Sequence, residues 1–137
     1  HITLTGGETS YEFDLSTLPS GASAQLLELS RQPLPESTDG LTASLTSFAP
    51  FDAEPSLCED VISIDTQDTA ITITNISGSD ITGQIYVYYK SAYGDLYIGG
   101  ITYRTGVSRL AAGESTTLYA SHYSTAYSRI MFVTYVQ

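Results

Sequence analysis

Residues 71–104 read ITITNISGSDITGQIYVYYKSAYGDLYIGGITYR, followed by TTLYA at 116–120 and SRIMFVTYV at 128–136. This part of the chain decides the fold. Apolar and polar residues alternate with period two, the spacing of a half-buried strand. In Ala70–Ile76, Ile71 and Ile73 fall on one side, Thr72 and Thr74 on the other. In Ile85–Lys90, Ile85, Val87 and Tyr89 share one face, and Tyr86, Tyr88 and Lys90 share the other. Gly78-Ser79-Asp80 and Ala112-Gly113-Glu114 are turn signals, and Ser91–Asp95 with Gly94 reads as a hairpin. Leu96–Arg104 is a strand interrupted by Gly99-Gly100, a pair that implies a bulge or the close approach of another backbone. Thr116–Ala120 is a further short strand. Arg129–Val136 is apolar on both faces, which predicts a central strand covered on both sides.

Working back toward the start, Ile2–Thr5 and Ser10–Leu15 also alternate, with Tyr11, Phe13 and Leu15 opposed to Glu12 and Asp14. Ala22–Arg31 is the one segment with helical spacing, through Leu26, Leu27 and Leu29. It follows the turn Leu18-Pro19-Ser20-Gly21 and stops at Pro33 and Pro35, and strand is the preferred reading. Leu41–Phe48 reads as a short strand, Ala49–Leu57 as loop, and Asp60–Asp65 as a strand turning at Gln67-Asp68. Short strands joined by Gly, Asp and Ser turns indicate an all-β chain. The expectation is one antiparallel, immunoglobulin-like β-sandwich over residues 1–137, with at most one short helix. Residues 1–68 would be acidic strands and loops, and residues 69–137 a tyrosine-rich core.

The 137 residues carry a formal net charge of −10, divided unevenly. Residues 1–68 contain twelve acidic residues and only Arg31 as a base, whereas residues 69–137 contain three acids and four bases. An acidic chain repels phosphate backbones, so no nucleic-acid partner is expected. No apolar run approaches the ~18 residues of a membrane-spanning helix. The single cysteine, Cys58, cannot form a disulfide within the chain and reads as a small buried hydrophobe. The chain begins at His1 rather than Met, read as a removed leader or a trim from a longer protein. A membrane link is expected only through such a leader or a lipid anchor.

The run from Ile71 to Ser115 resembles the FxLYD-like and related immunoglobulin-like modules of secreted and membrane-anchored Gram-positive bacterial proteins. The residues that carry the resemblance are the strand and Asn-x-Ser turn Ile71–Ser77, the aromatic-ended strand Ile85–Tyr89, the hairpin Gly94-Asp95 and the turn Leu110–Glu114. Gly99–Tyr103, His122–Ser124 and Ser128–Ile130 are similar to segments of uncharacterised extracytoplasmic proteins of the same bacteria. The resemblance covers about half of the chain. It implies a non-catalytic β-sandwich outside the cytoplasm and supplies no catalytic residues.

No Gly-x-Ser-x-Gly elbow is present, and His122 in Ser121–Ser124 has no base–acid context. No enzyme activity, cofactor or zinc site is expected. Glu59, Asp60, Asp65 and Asp68, with Asp39 or Asp52, form the densest acid group, read as a solvated face rather than a calcium site. Asn75-Ile76-Ser77 matches a glycosylation sequon and reads as a turn.

Ten of the eleven tyrosines lie after residue 80. Tyr86 and Tyr88, joined by Tyr97 and Tyr103 from a neighbouring strand, are the candidate ligand- or partner-binding residues, because tyrosine offers rigid contact area with a polar tip. The expected function is a cell-surface binding or structural module with a protein or glycan partner, and self-association remains open. The alternative is a carbohydrate-binding module that uses a tyrosine-lined sheet face.

Overall fold

The computed structural model describes residues 1–137 and contains eleven strands and no helix. They are β1 (Ile2–Gly6), β2 (Thr9–Phe13), β3 (Ser23–Gln25), β4 (Thr42–Leu45), β5 (Ile62–Gln67), β6 (Ala70–Asn75), β7 (Ile85–Tyr93), β8 (Leu96–Ile98), β9 (Tyr103–Val107), β10 (Ser115–Tyr119) and β11 (Ser128–Tyr135). The all-β expectation holds. Every strand pair is antiparallel except β3–β8, which is parallel.

The main core lies between two layers. One is the sheet β10-β6-β5, and the other is β7 with β11 and β9 on its two sides. Ile62, Ile71, Ile73, Ile85, Val87, Leu118 and Val133 meet in the middle, each nearly or wholly buried. Burying an aliphatic side chain of this size contributes about 1.5–3 kcal/mol. Asn75 closes one end of the sandwich. Its Nδ2 donates to the carbonyls of Ser79 and Leu110, and its Oδ1 accepts from Ser77. Asn75-Ile76-Ser77 is therefore a turn whose amide is spent inside the fold.

β7 is the central strand of its layer, and it runs to Tyr93 rather than ending at Lys90. Arg129–Val136, expected to be central, is β11 at the end of the ladder. Both its faces are covered all the same, for a reason that period two conceals. A bulge at Met131 breaks the register, with Ile130 opposite Tyr89 and Phe132 opposite Tyr88. Two successive residues, Met131 and Phe132, thereby reach the outer face of the layer, away from the main core.

A second, smaller cluster forms on that outer face from Ala92, Tyr97, Met131 and Phe132. Leu18, Ala22 and Ala24 cover it. The segment 22–31 thus contributes a three-residue strand, β3, and then runs irregularly with Leu27 and Leu29 exposed. The 96–104 segment divides into β8 and β9 at Gly99-Gly100, as the glycine pair implied. A Cβ on Gly100 would drive into the Asp14 carbonyl, and Ser16 donates from both its N–H and its hydroxyl to the Gly100 carbonyl. This close approach joins the N-terminal residues to the sandwich. β1 and β2 form a hairpin, and β4 pairs with the other side of β1 to make a separate three-stranded sheet.

Lys90, the chain's one lysine, is fully buried at this seam. Its Nζ donates to the Ile101 carbonyl at 2.8 Å and stands 3.5 Å from Thr102 Oγ1. No carboxylate pairs with it, since the ion pairs of the chain involve His1 and Arg129. Burial without a counter-charge pulls its pKa from 10.5 down to about 8. Between those two values the unfolded chain holds a proton that the folded chain has lost, so stability rises as pH climbs from about 8 toward 10.5. Urea unfolding of the wild type is expected to show this rise. Lys90→Met is expected to flatten it and to add roughly 1–3 kcal/mol at pH 7. A Met variant less stable than wild type at pH 7 would show that the amine's hydrogen bond outweighs its desolvation.

Candidate functional site

The outer face of β7 carries Tyr86, Tyr88, Lys90 and Ala92 in alternation. Toward Ala92 the face is roofed by the N-terminal segment, whereas Tyr86 and Tyr88 stay half-exposed. Their rings meet edge to face at 6.1 Å. Tyr88 also stacks on Phe132 at 4.5 Å, and Phe132 meets Phe51 edge to face at 5.7 Å. At the other end the Arg104 guanidinium lies 4.1 Å from the centre of the Tyr86 ring. The result is one continuous row, Arg104–Tyr86–Tyr88–Phe132–Phe51, running across β9, β7 and β11 onto the loop that follows β4.

Register explains each member. Arg104 stands opposite Tyr88 and Gly106 opposite Tyr86, so Arg104 reaches Tyr86 along the diagonal. Gly106 lets Tyr86 lie across β9, because a Cβ there would collide with the Ile85 carbonyl and sit 2.7 Å from Tyr86 Cδ1. Phe132 joins the row through the Met131 bulge. Phe51 is brought over it by the loop 51–58, whose Ser56 carbonyl accepts the Val133 N–H at 2.9 Å. Phe51, Cys58, Phe132, Val133 and Tyr135 line a groove of about 300 Å³ at this end of the row. Cys58 is half-buried there, packs against the main core and directs its Sγ at the Val133 carbonyl, 3.6 Å away.

The four tyrosines proposed from sequence do not all gather. Tyr86 and Tyr88 do. Tyr97 stands opposite Ala92 and so faces the same way, but it is buried in the second cluster. Tyr103 is opposite Tyr89 and faces the main core. It stacks between Tyr89 at 5.4 Å and the exposed His122 at 4.4 Å. The residue of β9 that joins Tyr86 is the next one along, Arg104. Period two makes Tyr103 and Arg104 point oppositely, but the choice between them depends on a register with β7 that no local pattern carries. Phe132 and Phe51 were missed because one depends on a bulge and the other on the path of a loop.

The acid group does not gather into a ligand set. Asp68 accepts from the Thr125 N–H and hydroxyl, bonds that hold its carboxyl below the usual range. A concavity of about 510 Å³ at the Asn75 end is lined by Asp80, Arg109 and Glu114 among others. Its two acids serve as turn caps, Asp80 accepting the Ala112 N–H and Glu114 the Ala111 N–H.

Gly106→Ala is expected to cost roughly 1–3 kcal/mol in urea unfolding through overpacking against backbone. Arg104→Ala, which removes a half-solvated cation–aromatic contact, is expected to cost at most about 1 kcal/mol. Equal losses from the two would show that Tyr86 is not seated by the glycine.

Compared with family models, curated proteins and solved structures, the chain finds no match.

Proposed function

We infer that this chain is a non-catalytic binding module of an exported, cell-surface protein, and that the row Arg104–Tyr86–Tyr88–Phe132–Phe51 is where it meets a protein partner. The observation that carries this reading is the row itself: aromatic, continuous and half-open, with an arginine at one end and an apolar groove at the other. Tyrosine and arginine dominate the energetics of protein interfaces because they combine area, rigidity and directional polar groups. The likeness to FxLYD-like and related immunoglobulin-like modules supports an extracytoplasmic setting at a Gram-positive cell surface.

A sugar platform needs ring faces turned to solvent. Here Arg104 lies over a face of Tyr86 and Phe132 stacks on Tyr88, and the two tyrosines are inclined by 61°. The row presents ring edges, a cation and a cleft, which suit a knobbed polypeptide surface better than a flat pyranose.

A photo-crosslinking residue placed at Tyr86, in the chain displayed on the cells that produce it, is expected to yield a discrete protein adduct. The same residue at Tyr127, which is 61% exposed elsewhere, is expected to yield none. The Tyr86 adduct should vanish when Tyr88→Ala and Arg104→Ala are added. Adducts of equal yield from both positions would overturn the assignment. Glycan-array binding that disappears in a Tyr86→Ala, Tyr88→Ala double variant would transfer the site to carbohydrate.

A further inference from the structure

The N-terminal sheet has two outer edges, and the fold treats them differently. Along β2 the edge is closed. Leu29 donates its N–H to the Glu12 carbonyl at 2.8 Å, and the Gln32 side chain donates to the Ser10 carbonyl. The Glu28 carboxylate accepts the Glu12 N–H. Burial works to raise the Glu28 pKa, but hydrogen bonds from Ser30, Glu12 and Gln32 outweigh it and hold the pKa down to about 2. The edge of β11 is strapped in the same way by Ser56.

Nothing straps β4. All four of its residues are exposed, and its only strand neighbour is β1. The Thr46 N–H donates to the His1 carbonyl, so the antiparallel alternation turns the backbone groups of Thr42 and Ser44 toward β1. The N–H and C=O groups of Ala43 and Leu45 therefore point away from the sheet, unpaired. Thr42–Leu45 contains no charge and no proline, the usual devices by which an edge refuses another strand. Ala43 and Leu45 lie opposite Leu4 and Ile2 and share their apolar face. Leu45 is 61% exposed and Phe48, just beyond the strand, is 72% exposed.

Charge selects the occupant. Residues 32–60, which contain β4 and both its flanking loops, hold six acidic residues and no basic one. A second copy of this chain would bring the same acids against them, and like charges across an interface suppress pairing. We propose that the free edge of β4 accepts an extended cationic polypeptide segment as an added antiparallel strand. The segment alternates apolar residues, which pack beside Leu45, with lysines or arginines that answer the acidic loops. Main-chain hydrogen bonds to Ala43 and Leu45 supply the docking, and charge supplies the selection. This surface is distinct from the aromatic row, and each assignment stands or falls alone.

The probe is the capped peptide acetyl-Lys-Val-Lys-Val-Lys-Val-Lys-amide, titrated into the whole chain at moderate salt and followed by NMR. The expected result is saturable binding with the largest shifts at Thr42–Leu45 and slowed hydrogen exchange at the Ala43 and Leu45 amides. Tyr86→Ala should leave it unchanged. Ala43→Pro removes one outward N–H and should abolish it. Should that variant not fold, the same peptide N-methylated at its valines provides the control on the wild type and should fail to bind. Equal binding of the methylated peptide would overturn strand addition, because only charge would then be read. Equal binding of the Glu-for-Lys peptide would overturn the cationic selection. A dimer in sedimentation of the free chain that is lost in Ala43→Pro would make a second copy the occupant and overturn the proposal.

Discussion

The structure depends on β7 carrying residues that need cover on both faces. Ile85, Val87 and Tyr89 require a layer on one side, and the sheet β10-β6-β5 provides it. Tyr88 and Ala92 require cover on the other, and no strand of the second half is free to supply it. The N-terminal residues Leu18, Ala22 and Ala24 do so instead. Two unlike halves of the chain, one nearly neutral and one strongly acidic, thus meet on the two faces of one strand: Ile62 of β5 joins the core on its inner side, and the N-terminal segment covers part of its outer side. The half-open end of that outer face, where the N-terminal cover stops short, is where the aromatic row lies.

Small residues carry the close approaches that this arrangement demands. Gly100 lets the backbone at Asp14 lie against the segment linking β8 and β9, and Gly106 seats Tyr86 across β9. Lys90 is the costly element at the same seam, a charge taken out of water for one good hydrogen bond. Its Nζ donates to the Ile101 carbonyl, in the segment that carries the glycine contact. The joint is thus specified by a close backbone approach, by the hydrogen bonds of Ser16 and Lys90 to the segment between β8 and β9, and by the small apolar cluster beside them.

Much of this was legible in the chain itself. Alternation at Ile71–Thr74 and Ile85–Lys90 located strands because side-chain direction in a strand is a local property. Gly99-Gly100 announced a close approach because two glycines in a strand pattern are otherwise unfavourable. What stayed hidden is non-local. Whether Tyr103 or Arg104 shares a face with Tyr86 is decided by registration against β7. The Met131 bulge moves Phe132 outward without leaving any trace in hydrophobicity. Ala22–Arg31, read as a strand despite the helical spacing of its leucines, is strand only over Ser23–Gln25, and the course beyond is set by Leu29 and Glu28 capping the backbone of β2. The candidate site was half visible for the same reason: Tyr86 and Tyr88 sit in one strand, and every other member arrives from elsewhere.

The burial of Lys90 also gives the molecule an unusual reactivity. With its sole lysine enclosed, the folded protein shows no side-chain amine to solvent. Acylating reagents, reducing sugars and aldehyde fixatives find no lysine on its surface to attack. Covalent labelling of that nitrogen would instead record how often the amine is released from Ile101 and Thr102 into water, which makes the residue a built-in reporter of opening.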